Sequence, residues 1–138
     1  MSNKIIDGKL ISSEIREKVK KFGNQLKNKT GKVPGLAVVL VGENPASRVY
    51  VKNKIEKTIE VGFNSIEHKL SEKVSENELI DLVDKLNNDE NVQGILVQLP
   101  LPEHVNSDKI LDRIKPEKDV DGFHANNVGK LWSGLNSL

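Results

Sequence analysis

The sequence predicts an α/β domain with three layers, helix over sheet over helix, and a mostly parallel sheet. Two observations carry this expectation. Helical periodicity and strand-length apolar runs alternate along the chain, the order that builds a parallel sheet with helices on both faces. The run Leu36-Ala-Val-Val-Leu-Val41 is apolar without interruption, as in a strand covered on both sides.

The elements follow in chain order. Ile5-Ile6-Asp7-Gly8 reads as a short edge strand and turn. Leu10, Ile11, Ile15, Val19, Phe22 and Leu26 keep helical spacing, and this helix should end between residues 27 and 31. Pro34-Gly35 opens the first core strand, over residues 36–41. After a Gly42-Glu43 turn, Asn44 fits an N-cap and Pro45 the first helical position. The helix they begin should bury Val51, Ile55 and Ile59 and stop near Gly62. Residues 63–70 form a weaker strand, in which His68 reads as an edge or surface residue. Ser75, with Glu78 in the capping-box position, starts a helix that buries Leu79, Ile80, Val83 and Leu86 and ends in Asn87-Asn88-Asp89. Residues 93–99 make the third core strand, stopped by Pro100 and Pro102. A short helix over residues 107–114 follows, capped by Asn106 or Ser107. Residues 115–138 look turn-rich and irregular.

The totals bound the function. The chain has 138 residues, 30% charged, with a net charge of +1, which suits one domain with its own core and points to neither a nucleic acid nor a membrane surface. It has no cysteine, which removes disulfides, thiol catalysis and thiolate metal sites. Met1-Ser-Asn-Lys begins no apolar signal region, so a cytoplasmic protein is the expectation.

In an open parallel sheet, ligands bind beyond the carboxyl ends of the strands. Three polar features fall at that edge. Tyr50 and Lys54 lie about 40° apart on the helix after the first core strand, with Ser47 within about 60° of Tyr50. They stand at the rim of its buried face, where a Tyr and a Lys ordinarily just snorkel over the core. Gln98 interrupts the third strand, and its amide must find a partner, either a structural loop contact or a lysine or ligand. Asp119-Val-Asp-Gly-Phe-His124 puts two carboxylates and a histidine in one turn. It lacks the acidic ladder and distal glutamate of a calcium loop, so no metal is expected there. Asp119 suits a cap or turn, and Asp121 an acceptor for the N–H groups of a heterocycle. Gly42-Glu-Asn-Pro is not a dinucleotide fingerprint.

Taken together, Tyr50-Val-x-x-Lys54, Gly94-Ile-Leu-Val-Gln-Leu-Pro-Leu-Pro102 and Lys118-Asp-Val-Asp-Gly-Phe-His124 resemble the signatures of bifunctional methylenetetrahydrofolate dehydrogenase/methenyltetrahydrofolate cyclohydrolase. Asp7-Gly8-Lys9 and Val41-Gly-Glu-Asn-Pro-Ala-Ser47 fit as well, and the resemblance covers almost the whole chain. It implies Lys54 as the catalytic lysine, Tyr50 stacked on the folate aminobenzoyl ring, Gln98 bonded to Lys54, and Asp121 on the pterin N–H edge. It also implies a substrate pocket that includes Ser47, Val51, Val97 and Leu99. Ala125 stands where the family usually has proline.

The resemblance implies a homodimeric cytoplasmic enzyme of one-carbon metabolism that acts on tetrahydrofolate derivatives with NADP. The family's glycine-rich phosphate loop and Pro-Gly-Gly-Val-Gly-Pro stretch are not in this sequence. The expectation is therefore a folate-binding catalytic domain over residues 1–124, with residues 125–138 starting a linker toward an NADP domain that is absent here. A non-catalytic folate-binding or scaffold module is the competing reading.

Overall fold

The computed structural model describes residues 5–137. It contains helix α1 (Gly8–Thr30), strand β1 (Gly35–Val41), helix α2 (Pro45–Glu60), strand β2 (Asn64–Leu70), helix α3 (Glu76–Asn88), strand β3 (Gly94–Val97), helix α4 (Ser107–Arg113), a 3-10 turn (Pro116–Lys118) and helix α5 (Ala125–Trp132). The sheet is all parallel, in the order β2-β1-β3. The α/β expectation holds.

Alternation along the central strand separates two cores. Ala37, Val39 and Val41 of β1, with Ile95 and Val97 of β3, pack against Leu79, Val83 and Leu86 of α3 and Ile110 of α4. Val38, Leu40 and Leu96 face the other way, onto Val51 of α2. β1 is thus buried on both sides, which is why its sequence shows no polar alternation. Complete burial of each such valine or leucine is worth about 1.5–3 kcal/mol, so β1 anchors both layers.

The caps explain where the helices begin. Asn44 Oδ1 accepts from Ser47 N–H at 3.1 Å with Pro45 in the first turn. Ser75 and Glu78 form the reciprocal capping box. Asn106 caps α4 by accepting from Lys109 N–H at 3.1 Å.

Four expectations need correction. The edge strand over residues 5–8 is absent from the described part. Asp7 instead caps α1, accepting from the N–H groups of Lys9 and Leu10, both at 3.0 Å, and an aspartate facing free amides starts a helix. Ile59 is 60% exposed, so α2 buries Ser47, Val51 and Thr58, with Ile55 half-buried. The third strand is shorter than residues 93–99, although Gln93 N–H and Gln98 N–H still bond β1, to the carbonyls of Gly35 and Val39. Finally, residues 125–132 are helical. His124 caps α5 through its ring Nδ1, which accepts from Asn126 N–H at 3.0 Å, a cap that a search for Ser, Thr, Asp or Asn passes over.

The long α1 has the predicted spacing but no buried residue; Leu10, Ile11, Ile15, Phe22 and Leu26 are all exposed. It meets the body at Gly23, which leaves room for the Phe63 ring, and through Arg16 and Glu60, 3.1 Å apart.

Two glycines fix how closely chain segments approach the sheet. A Cβ on Gly35 would strike the backbone carbonyl of Asn91, whereas one on Gly94 would meet the Val120 side chain at 2.5 Å. Backbone yields less readily than a side-chain methyl. Gly35→Ala should therefore lower stability by about 2–3 kcal/mol, with a smaller loss for Gly94→Ala. Urea unfolding of both variants, read as a fall in midpoint at unchanged slope, checks the order.

Candidate functional site

β1 runs into α2 on one face of the sheet, and the chain leaving β3 runs to α4 on the other. The crevice between these departures lies at the carboxyl ends of β1 and β3, and the predicted polar residues gather there. Lys54 Nζ donates to Gln98 Oε1 at 3.3 Å. The Gln98 amide is oriented by its other end, since Nε2 donates to the Leu99 carbonyl at 2.8 Å. That bond commits Oε1 to the lysine. The sequence left Gln98 between a loop contact and a lysine contact; it makes both.

Lys54 itself is half-buried on α2. Its backbone carbonyl accepts from Thr58 Oγ1 at 2.8 Å. Tyr50, one turn earlier, is 62% exposed and available for stacking, while Ser47 is buried beneath the start of α2. Val51 and Val97 are each 1% exposed, their side chains taken up by the two cores. Leu99 is half-buried.

Asp121 lies in the loop after the 3-10 turn. Its surroundings strip part of its hydration and raise its carboxyl above the ordinary carboxylate range; the charge of Lys54 opposes this rise and that of Asp119 adds to it. The lysine and this carboxylate therefore feel one another.

The loop that carries Asp121 is held from three directions. Asp119 makes a parallel bridge to Ile95 of β3. Its carboxylate, 2% exposed, accepts from His124 N–H at 2.8 Å and Asn127 Nδ2 at 3.0 Å. Lys118 Nζ donates to the carbonyls of Leu86 and Asp89, at 3.1 and 2.9 Å, closing the C-terminus of α3. Desolvation, then the nearby Lys115, lowers the pKa of Lys118. Asp119 thus does act as a turn residue. Asn127 and Lys118 were missed as parts of this frame. Lys118 beside Asp119 was a visible charge in that turn, but nothing in the sequence marked Asn127.

His68 lies on edge strand β2, half-buried, its Nε2 without a hydrogen-bond partner. It takes no part in the Lys54 cluster. No group of three or more potential metal-ligating His, Cys, Asp or Glu side chains occurs among the described residues.

The raised carboxyl of Asp121 has a stability consequence. The folded chain holds that proton more tightly than the unfolded chain does, so stability falls as pH rises from the ordinary carboxylate value through the raised one. Asp121→Asn should be more stable than the parent above that window, and the difference should vanish below it. Thermal unfolding across acid and neutral pH measures both limbs.

Comparison with known proteins agrees with this geometry. Residues 6–121 match the family described as "Tetrahydrofolate dehydrogenase/cyclohydrolase, catalytic domain". The chain is 54% identical over its whole length to a bifunctional protein FolD 2 of Roseobacter denitrificans, of which it covers 46%. It is similar to the crystal structure of a FolD methylenetetrahydrofolate dehydrogenase/cyclohydrolase from Campylobacter jejuni, with TM-score 0.92 and 50% identity, covering 95% of this chain and 46% of that one. It also resembles the Trypanosoma brucei dehydrogenase-cyclohydrolase, solved with NADP cofactor and inhibitor, with TM-score 0.91 and 32% identity, covering 96% of this chain and 46% of that one. The chain spans about half the length of the relatives it matches. With the family profile covering most of the sequence and the fold superposing at this level, the chain belongs to the tetrahydrofolate dehydrogenase/cyclohydrolase family and corresponds to its catalytic domain.

Proposed function

We propose that this chain supplies the folate site and the catalytic lysine for interconversion of one-carbon tetrahydrofolates. In this reading the whole protein oxidises methylene-tetrahydrofolate to the methenyl form with NADP and hydrolyses that to formyl-tetrahydrofolate. The observation that carries it is the Lys54–Gln98 hydrogen bond across the β1/β3 crevice, with Asp121 electrostatically coupled to the same lysine.

The roles follow from the chemistry of each group. Asp121 accepts from the N–H edge of the pterin. Tyr50 stacks on the aminobenzoyl ring, and Leu99 with Ser47, Val51 and Val97 shapes the pocket around it. Hydrolysis of the methenyl bridge adds water to the bridging carbon, giving a carbinolamine. A proton then moves from oxygen to a ring nitrogen as that carbon–nitrogen bond breaks, leaving the formyl group on the other nitrogen. Lys54 transfers this proton, and Gln98 holds its ammonium at the bridge.

The dinucleotide does not fit the residues present. The turn before α2 carries Glu43, and the Ser47 amide at that helix start is met by the Asn44 side chain. The sequence has no G-x-G-x-x-G. A pyrophosphate needs bare amides and no facing carboxylate, so no step through NADP is assigned to this chain. In this reading the folate site lies within residues 1–124, α5 is tied to the loop of Asp119 through Asn127, and residues 125–138 lead toward an NADP-binding domain of the full protein. The full protein is read as a cytoplasmic homodimer without nucleic-acid or membrane partners. A net charge of +1 gives no general pull toward a polyanion, and no helix among the described residues is long and apolar enough to cross a membrane.

The test uses full-length protein. Lys54→Met should lower cyclohydrolase kcat by about 10²–10⁴-fold with the fold retained. Gln98→Ala should cost about tenfold, the worth of one hydrogen bond to a charged group. Asp121→Ala should act mainly on folate affinity. Parental turnover by Lys54→Met would reduce this chain to a folate-binding module.

A further inference from the structure

Asp121 is exposed and makes no side-chain hydrogen bond of its own among the described residues. Its place in the crevice is therefore borrowed from the chain on either side. That chain is a closed loop. The Asp119 carbonyl accepts from Gly122 N–H at 3.3 Å, and the Asp119 carboxylate accepts from His124 N–H at 2.8 Å. Gly122, at φ 69°, supplies the left-handed backbone that follows Asp121. Both closing bonds end on Asp119 and both enclose Asp121, so a movement of Asp119 carries Asp121 with it.

The backbone of Asp119 is fixed to β3 by its bridge to Ile95. Its carboxylate is 2% exposed and meets two neutral donors. One, the His124 amide, belongs to the loop itself and ties it to nothing else. The other is Nδ2 of Asn127, the third residue of α5, at 3.0 Å. Asn127 is itself 3% exposed, and the same Nδ2 donates to the Pro116 carbonyl at 2.8 Å. The two hydrogens of one amide thus grip the first residue of the 3-10 turn and the residue just past its end.

An asparagine in the first turn of a helix ordinarily serves the helix by accepting from its free N–H groups. Asn127 does the reverse. It presents donors to the loop, and the cap of α5 is His124. The side chain is therefore buried for the sake of residues 116 and 119. It also stands outside residues 6–121, the span that matches the family.

We propose that Asn127 is a positioning residue of the folate site: by bracing Asp119 against Pro116 it sets the place of Asp121, and with it the affinity for the pterin. The inference rests on the reading of Asp121 as the acceptor for the pterin N–H edge.

Full-length protein carries the test, with formyl-tetrahydrofolate as the titrated probe. Asn127→Ala should raise its Kd about tenfold, the worth of one hydrogen bond to a charged group. Asn127→Asp sets a second carboxylate against Asp119 and should cost at least as much. Adding Asp119→Asn to Asn127→Asp moves the amide to the loop and the carboxylate to α5. This restores one donor–acceptor pair and should bring Kd back to within about threefold of the parent. Cyclohydrolase kcat of Asn127→Ala at saturating substrate should stay within about threefold of the parent, because the Lys54–Gln98 contact joins α2 to the chain after β3 and bypasses this loop. Circular dichroism checks the fold of each variant, and Asn127→Ala, which adds no charge, carries the comparison if Asn127→Asp does not fold. A merely structural asparagine would lower kcat together with affinity, or leave the exchanged pair as weak as Asn127→Asp alone; either result overturns the proposal. Parental Kd in Asn127→Ala beside weak binding by Asp121→Ala also overturns it, and the folate site then stands without this brace. Parental Kd in Asp121→Ala removes the pterin reading of Asp121 itself, and this inference with it.

Discussion

The site depends on one contact, the 3.3 Å hydrogen bond between Lys54 Nζ and Gln98 Oε1. It joins a helix leaving β1 to the chain leaving β3, residues 44 apart in sequence. Neither partner could be placed without the sheet. Pairing Leu36 with Gly94 through Val39 with Val97 sets the ends of the two strands side by side. The bond from Gln98 N–H to the Val39 carbonyl, 2.9 Å, carries that register one residue past the strand. The amide of Gln98 is then turned by the Leu99 carbonyl, so its acceptor end has one direction left. The lysine is held by a polar group that is itself held, the arrangement in which a side chain keeps one geometry through a reaction.

The same logic extends to Asp121. Its loop is short of regular structure, yet a buried carboxylate, a lysine closing a helix end and an asparagine from α5 fix it. Gly94 lets Val120 lie close against β3, and Asp121 is the next residue. Burial of Asp119 without a cation is tolerated because two N–H donors meet it; an unpaired carboxylate with no such donors would carry a heavy desolvation cost. A fixed carboxylate near a fixed lysine is an arrangement that can grip one end of a ligand and act at another.

Much of this was legible in the sequence, for identifiable reasons. The unbroken apolar run of β1 marked a doubly covered strand, and the caps Asn44-Pro45 and Ser75/Glu78 marked the starts of α2 and α3. These are local signals. The convergence of Tyr50, Lys54, Gln98 and Asp121 on one edge followed from parallel topology alone. What the sequence hid were long-range or unusual partners. α5 rests on a histidine cap and on Asn127, which reaches back to Pro116 and Asp119. Ile59 kept helical spacing but lies on the exposed side of α2, since spacing alone does not say where a covered face stops. The start of α1 turned on whether Asp7 capped a helix or closed a strand, and the free amides of Lys9 and Leu10 decided it.

The central claim is that folate is held where Lys54, Gln98 and Asp121 converge. It is tested most directly by titrating a tetrahydrofolate analogue into the isotopically labelled chain and following each backbone amide by NMR. The account predicts saturable shifts at Tyr50, Lys54, Gln98, Leu99 and Asp121, with the amides of β2 unmoved. Shifts confined to β2 or to the opposite, amino-terminal edge of the sheet, with Lys54 and Gln98 unchanged, would contradict it.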